Sequence, residues 1–321
     1  MIRPKVTVVC STHGRSELLP RLVGALSAQT MPADDFEVVV VDDASPDDTS
    51  AVLERLAAGT PFALRILRHA RNRGAAAGRN TGWRAAAADV VAFTDDDCVP
   101  GPGWLEAGVA AMDDHAGAFV VGRTEPDPDE VHLLARPFSR SLAVVEPKFY
   151  ETCNVFYRRR DLEAVGGFDE QFRTGEDTDL GLRMREAGRQ PVWEPAALVR
   201  HRVRPASFAA HWREARRWAD LALVVKRHPG HRDDLLQGSL FWKRTHPPTV
   251  VAVIGVAAAA ATRSPVPLLF GGWWVWHRLV VEPACPGPRR RIIALPGTFV
   301  VDATEVATMA EGSARHRTLL L

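Results

Sequence analysis

Short β-branched runs and helical stripes of leucine alternate along the first hundred residues. Val6-Thr-Val-Val-Cys10 predicts a strand buried on both faces. After a turn at Gly14, residues Leu18, Leu19, Leu22, Val23 and Leu26 recur at helical spacing. Phe36 to Val41 predicts a second strand, ended by Asp42-Asp43-Ala-Ser45-Pro46. Asp47-Asp48-Thr49 then opens a helix carrying Val52, Leu53 and Leu56. Phe62 to Leu67 predicts a third strand, Gly74 to Ala88 an alanine-rich helix, and Val90 to Phe93 a fourth strand. This rhythm predicts an α/β fold with a mostly parallel sheet and right-handed crossovers. Ligands in such sheets lie beyond the carboxyl ends of the strands. Ser11 to Arg15, Asp42-Asp43 and Asp95 to Asp97 all fall there.

From about 100 to 205 the pattern is less regular. Pro100-Gly-Pro-Gly103 leads into a helix from Trp104, and Thr124 to Pro128 reads as a proline-rich loop. Thr152 to Tyr157 reads as a strand, and Asp179 to Ala187 as a helix ended by Gly188. Phe208 to about Arg227 reads as one helix, with Trp212, Trp218 and Leu221 among arginines. Thr249 to Thr262 carries no charge, and Val266 to Val281 is apolar apart from His277 and Arg278. Each run is short for a membrane span, which needs about 20 residues. Lys243, Arg244 and Arg289 to Arg291 flank the pair, as expected of a hairpin returning to the cytoplasmic face. A buried helical pair in a soluble domain is the alternative.

Composition narrows the classes. With 46% hydrophobic and 25% charged residues, the 321-residue chain is ordinary globular material. Its net charge of +1 gives no basic field for nucleic acid. Cys10, Cys98, Cys153 and Cys285 show no metal-ligand spacing, which predicts reduced, buried thiols in the cytosol. Val6 to Cys10 is too short for the apolar core of a signal peptide.

The chemistry lies in two acidic clusters, Asp95-Asp96-Asp97 and Glu176-Asp177-Thr178-Asp179. The first follows a strand directly and offers hard oxygen ligands at the sheet rim. The second opens a helix, whose dipole favours ionised carboxylates there. One cluster for a metal and one for a proton is the layout of a metal-assisted transfer enzyme. Taken alone, either could be a solvated turn or a helix cap.

Five segments in order, VTVVCSTHGR, FEVVVVDDASPDDT, RNRGAAAGRNTG, VAFTDDDCVPGPGWLE and NVFYRRRDLEAVGGFDEQFRTGEDTDLGLRMREAG, resemble the landmarks of family 2 glycosyltransferases. The likeness covers residues 5 to 202. It implies a GT-A fold and inverting transfer of a sugar from a nucleotide-sugar donor, with Mn2+ or Mg2+ as cofactor. It further implies that Ser11, His13, Arg15, Asp43, Arg79, Asp95 and Asp96 contact the donor. Asp95, Asp97 and His201 would ligate the metal. Asp177 would be the catalytic base, with Glu176 orienting the acceptor beside Trp104 and Asn154. Ser11-Thr-His-Gly14 departs from the family's Pro-Thr-Tyr-Asn turn, so His13 stands where a tyrosine would stack on the base.

The expected organisation is a catalytic domain over 1–205, with halves at about 1–100 and 101–205. A C-terminal helical region over 206–321 would touch a membrane surface, placing the protein at the cytoplasmic face of the cell membrane. The acceptor is a glycan, a lipid-linked molecule or a small molecule, with cell-envelope or metabolite glycosylation as the setting. A polyprenyl-phosphate glycosyltransferase and a non-catalytic nucleotide-sugar-binding scaffold are the alternatives.

Overall fold

The computed structural model describes residues 3–283 and 285–321. Contacts divide them into two units. The first runs to Pro128 and resumes over Leu142–Arg202; the second comprises Asp129–Ser141 and Val203–Leu321. The segment 129–141 thus leaves the first unit to join the second.

The first unit begins with β1 (Val6–Thr12), α1 (Leu19–Ser27), β2 (Phe36–Asp42), α2 (Thr49–Ala57), β3 (Ala63–Arg68), α3 (Ala75–Arg84) and β4 (Val90–Phe93). It continues with β5 (Cys98–Pro100), α4 (Trp104–Asp114), β6 (Ala118–Pro126), β7 (Val155–Arg158), α5 (Arg159–Val165), α6 (Glu176–Glu186) and β8 (Gln190–His201). One eight-stranded sheet follows the order β3-β2-β1-β4-β7-β6-β8-β5. Strands β1 to β4 pair in parallel, while β7 runs antiparallel to β4 and β6, and β5 antiparallel to β8. The sheet is therefore mixed, parallel where helices alternate with strands and largely antiparallel beyond. In β1, Val6, Val8, Val9 and Cys10 are fully buried. Enclosing each such valine contributes roughly 1.5–3 kcal/mol, which anchors the strand and lets its polar end emerge at the rim.

Several boundaries differ from the sequence expectation for local reasons. Helix α3 stops at Arg84 because neighbouring side chains take the next backbone donors: Ala87 N–H donates to Glu37 Oε1 (2.7 Å) and Ala88 N–H to Thr7 Oγ1 (3.1 Å). The expected loop at Thr124 is strand, since β6 continues to Pro126 and Thr124 exchanges backbone bonds with Val144. All four cysteines are free and buried.

The second unit contains α7 (Phe208–Ala215), α8 (Leu221–Arg227), α9 (Arg232–Leu235), α10 (His246–Thr262), α11 (Gly271–Trp276) and α12 (Pro288–His316). The helix expected over 208–227 is broken by a tight turn at Trp218–Asp220. The second apolar run is also fragmented. Pro265 and Pro267 start a 3-10 turn, Val266–Phe270, before α11, and a π-turn over His277–Val281 follows it. Among the described residues, α12 is instead the helix long and apolar enough to cross a membrane.

Candidate active site

The rim of the parallel half gathers the first expected residues. Thr12 Oγ1 donates to Asp96 Oδ2 at 2.8 Å, and Arg15 donates to Asp96 Oδ1 at 2.8 Å and to Asp97 Oδ2 at 3.5 Å. Burial raises the Asp96 carboxyl above its ordinary range, and the neighbouring Asp97 adds to this while Arg15 opposes it. Burial also works against the Arg15 charge, but Asp96 and Asp97 outweigh it and hold the guanidinium up. Ser11 lies under α3 with its Oγ 2.0 Å from where a Cβ on Gly78 would stand. Only glycine lets that helix start come so close to the strand end.

His13 faces a backbone carbonyl, Asp43 O, at 2.8 Å, so its Nδ1 carries the proton. Its ring is exposed at the rim. The Asp43 carboxylate is used locally. It accepts from the backbone N–H groups of Arg73 (2.9 and 3.1 Å) and Gly74 (2.7 Å), and pairs with His69 at 2.6 Å. His69 in turn meets Thr81 at 2.8 Å. The carboxylate therefore shapes the loop that leads into α3. His69 and Thr12 escaped the sequence reading, since neither residue stands inside an acidic or glycine-rich motif.

Arg79 joins the two acidic clusters. It is 7% exposed, and its guanidinium donates to Asp95 Oδ1 and to Glu176 Oε1, both at 2.8 Å. Burial alone would depress its charge; Asp95 and Glu176 more than offset this. Eighty residues of chain thus close onto one buried cation. The next residue, Asn80, fixes the opposite wall. Its amide donates to Phe168 O (2.8 Å) and Glu170 Oε1 (3.0 Å), and its oxygen accepts from Phe168 N–H (2.9 Å).

Asp177 follows in the first turn of α6. Its Oδ1 accepts from Thr178 N–H at 2.7 Å. Burial, then the nearby carboxylates Glu176 and Glu151, push its proton affinity well above the ordinary range. Asp179 is fully buried and paired with Arg183 at 2.8 Å, which makes it the anchor of α6.

Trp104 and Asn154 lie elsewhere, in the core. Both are almost fully buried, and Trp104 Nε1 donates to Asn154 Oδ1 at 2.8 Å. The Asn154 amide donates to Arg123 O and Ala197 O. These bonds lace β6, β7 and β8 together and face no open surface.

The pairing of β5 with β8 sets Cys98 opposite His201, which brings His201 beside Asp97. His201 Nδ1 faces the carbonyl of Arg202 at 2.9 Å and so donates to it. Nε2 lies 3.5 Å from Asp97 Oδ1. A second bond that fixes the ring is usual for a metal-binding histidine. Ligand atoms of Asp97, Cys98 and His201 lie within 4.8 Å of one another. Carboxylate with imidazole is a donor set that could hold a divalent cation.

A mixed sheet flanked by helices, with Arg79 bridging the acidic end of β4 to the acidic start of α6, defines an α/β fold of the GT-A type. The family model of glycosyl transferase family group 2 matches residues 90–276, more than half the chain, and that of glycosyl transferase family 2 matches residues 7–166. The chain belongs to the family 2 glycosyltransferases. It is 32% identical over 238 residues to the pre-mycofactocin glycosyltransferase of Mycobacterium tuberculosis, covering 70% of this chain and 48% of that protein. It is 32% identical over 226 residues to the validoxylamine A glucosyltransferase of Streptomyces hygroscopicus, covering 58% of this chain and 52% of that one. The chain therefore spans about half the length of these relatives. The fold is shared with the mannosyltransferase PcManGT of Pyrobaculum calidifontis, solved with GDP-Man and Mn2+. The TM-score is 0.61 at 20% identity, over 99% of this chain and 88% of that one. S. aureus TarS with UDP-GlcNAc gives a TM-score of 0.54 at 17% identity, over 98% of this chain and 92% of that one.

Proposed function

We propose that this glycosyltransferase is a metal-dependent, inverting enzyme that moves a sugar from a nucleotide-sugar donor to an acceptor hydroxyl. The observation that carries this reading is the Arg79 bridge, which holds Asp95 and Glu176 on the same guanidinium. A metal-side cluster and an acceptor-side cluster therefore border one site, as a single displacement requires. Asp97 and His201, with Asp95, would hold Mn2+ or Mg2+, which when bound neutralises charge on the diphosphate. Arg15 and Arg79 add positive charge where the leaving group gains negative charge. Asp177 takes the acceptor proton as the new oxygen–carbon bond forms at the anomeric centre. The bond to the diphosphate breaks with its electron pair. Ser11, His13 and the loop shaped by Asp43 face the nucleoside.

The test is Asp177→Asn, assayed with UDP-glucose and GDP-mannose as donors. Turnover should fall by at least about 100-fold while nucleotide binding persists. An unimpaired variant would remove the base and favour a polyprenyl-phosphate acceptor, which arrives already ionised.

A membrane surface is the proposed partner of the second unit, because apolar side chains are exposed on it. The buried face of α12 carries Thr298, Asp302, Glu305 and Thr308 beside Ala294, Val301 and Met309, whereas Ile292, Ile293 and Val300 are exposed. Asp302 is paired inside with Arg278 and Trp274, and Glu305 with Lys243. Exposed Ile254, Leu269, Phe270 and Trp276 continue the apolar exterior. Exposed apolar side chains and buried ion pairs thus occur together in this unit. A lipid surface at the cytoplasmic face, where nucleotide sugars occur, suits that arrangement.

A further inference from the structure

A carboxylate outside the acidic motifs stands on a loop docked against the start of α6, the helix that carries Asp177. Glu151 sits on the loop before β7, and its Oε2 is buried with no hydrogen-bond partner. Two contacts hold that loop against the start of α6. Thr178 Oγ1 donates to Phe149 O at 3.0 Å, joining the neighbour of Asp177 to a residue two before Glu151. Tyr150 packs onto Gly181 so closely that a Cβ there would stand 2.1 Å from its ring. The floor is aromatic: Phe119 lies 5.3 Å from Tyr150 and 5.1 Å from Tyr157 between ring centroids, and the Tyr157 hydroxyl also lacks a partner. Buried carboxyl oxygens without donors are costly, and they persist where they serve a function.

We propose that Glu151 is a positioning residue for the transfer reaction, placed so that its negative charge makes Asp177 a stronger base. The proposal rests on the reading of Asp177 as the group that takes the acceptor proton. A carboxylate of ordinary basicity is a weak base toward an alcohol, and a like charge nearby raises its hold on a proton. Burial lifts the Glu151 carboxyl to about 7, so its charge appears as the pH passes neutrality. Within reach of Asp177 lie Glu176 on the same helix, Arg79 on α3, Glu151 on its loop and Tyr157 on β7. Arg183, one turn further along α6, acts on Tyr157. Of these, Glu151 is the negative group with no cation on it among the described contacts. Glu176 already shares Arg79. Glu151 is therefore the carboxylate best placed to act through charge alone.

The experiment is a carboxyl 13C NMR titration of the full chain, labelled at aspartate and glutamate, with each signal assigned by its own substitution. In the unsubstituted protein, Asp177 and Glu151 should titrate in two mutually dependent steps. In Glu151→Gln the Asp177 midpoint should fall by about one unit or more, and in Glu151→Asp it should recover. In Asp177→Asn the Glu151 midpoint should stay in place, because Asp177 still holds its proton while Glu151 titrates. The two-step curve of the unsubstituted protein carries the test if Glu151→Gln does not fold. A merely structural Glu151 leaves the Asp177 midpoint in place in Glu151→Gln, and that result would overturn the proposal. Failure of the base reading shows separately, as turnover of UDP-glucose or GDP-mannose by Asp177→Asn with the coupled titration intact.

Discussion

Replacing Arg79 with methionine removes the cation between two carboxylates while keeping an unbranched side chain of similar reach. Deleting one member of a buried ion pair typically costs about 3–5 kcal/mol, because the remaining charge stays desolvated. Here two charges are stranded, which pushes the cost up. Their side chains keep 28% (Asp95) and 16% (Glu176) exposure, which lets water recover part of the loss. The net expectation is a loss of about 2–4 kcal/mol in urea unfolding of the purified protein, and it should survive in high salt. Arg79→Lys should retain the charge yet lose about half of that stability, since one ammonium cannot make two separate forked contacts. A loss below about 1 kcal/mol for Arg79→Met, or one abolished by salt, would show the bridge to be a solvated surface pair and refute the reasoning.

Three further outcomes follow from the same geometry. Asp97→Asn should abolish the tightening of UDP or GDP binding by Mn2+ in calorimetry and leave metal-free binding unchanged; equal Mn2+ effects in both proteins would remove Asp97 from the ligand set. Gly181→Ala should destabilise the protein by about 1–3 kcal/mol, because the new methyl meets the Tyr150 ring. Normal stability by thermal unfolding would mean the loop moves freely. The full chain should float with vesicles containing about one-third anionic lipid, and the combined Leu269→Glu, Trp276→Glu and Ile293→Glu protein should not. Equal flotation would remove the exposed apolar side chains as the contact.

Much of the parallel half was legible because one strand and one helix suffice to define each step. The valines of β1 and β2 announce buried strands, and the residues that follow them mark the rim. The antiparallel half was not legible in the same way. Strand β8 is a long run of mixed polarity, Gln190 to His201, whose pairing with β5 and β6 depends on residues 70 to 100 positions away. Helix α12 lies in the expected helical C-terminal region but had no bounds of its own, because Pro296 and Gly297 break its sequence pattern and because polar and apolar side chains share its buried face. Among site residues, Asp95 to Asp97 and Asp177 stand in motifs. Glu151 does not: its neighbours Tyr150 and Thr152 signal packing, and its significance comes only from the loop that delivers it to α6. Trp104 and Asn154 show the converse, since residue types common at sugar sites here tie three strands together from within.

The shortest strand of the sheet has a consequence for biosynthesis. β5 stands at the edge, three residues long and paired with β8 alone, although 89 positions of chain separate Pro100 from Gln190. During synthesis Asp97 leaves the ribosome early, while His201 emerges only when this unit is nearly finished. The histidine and aspartate that face one another can therefore meet only once the sheet has closed. The proposed cation site at Asp97 and His201 can thus be complete only after the framework of the sheet exists.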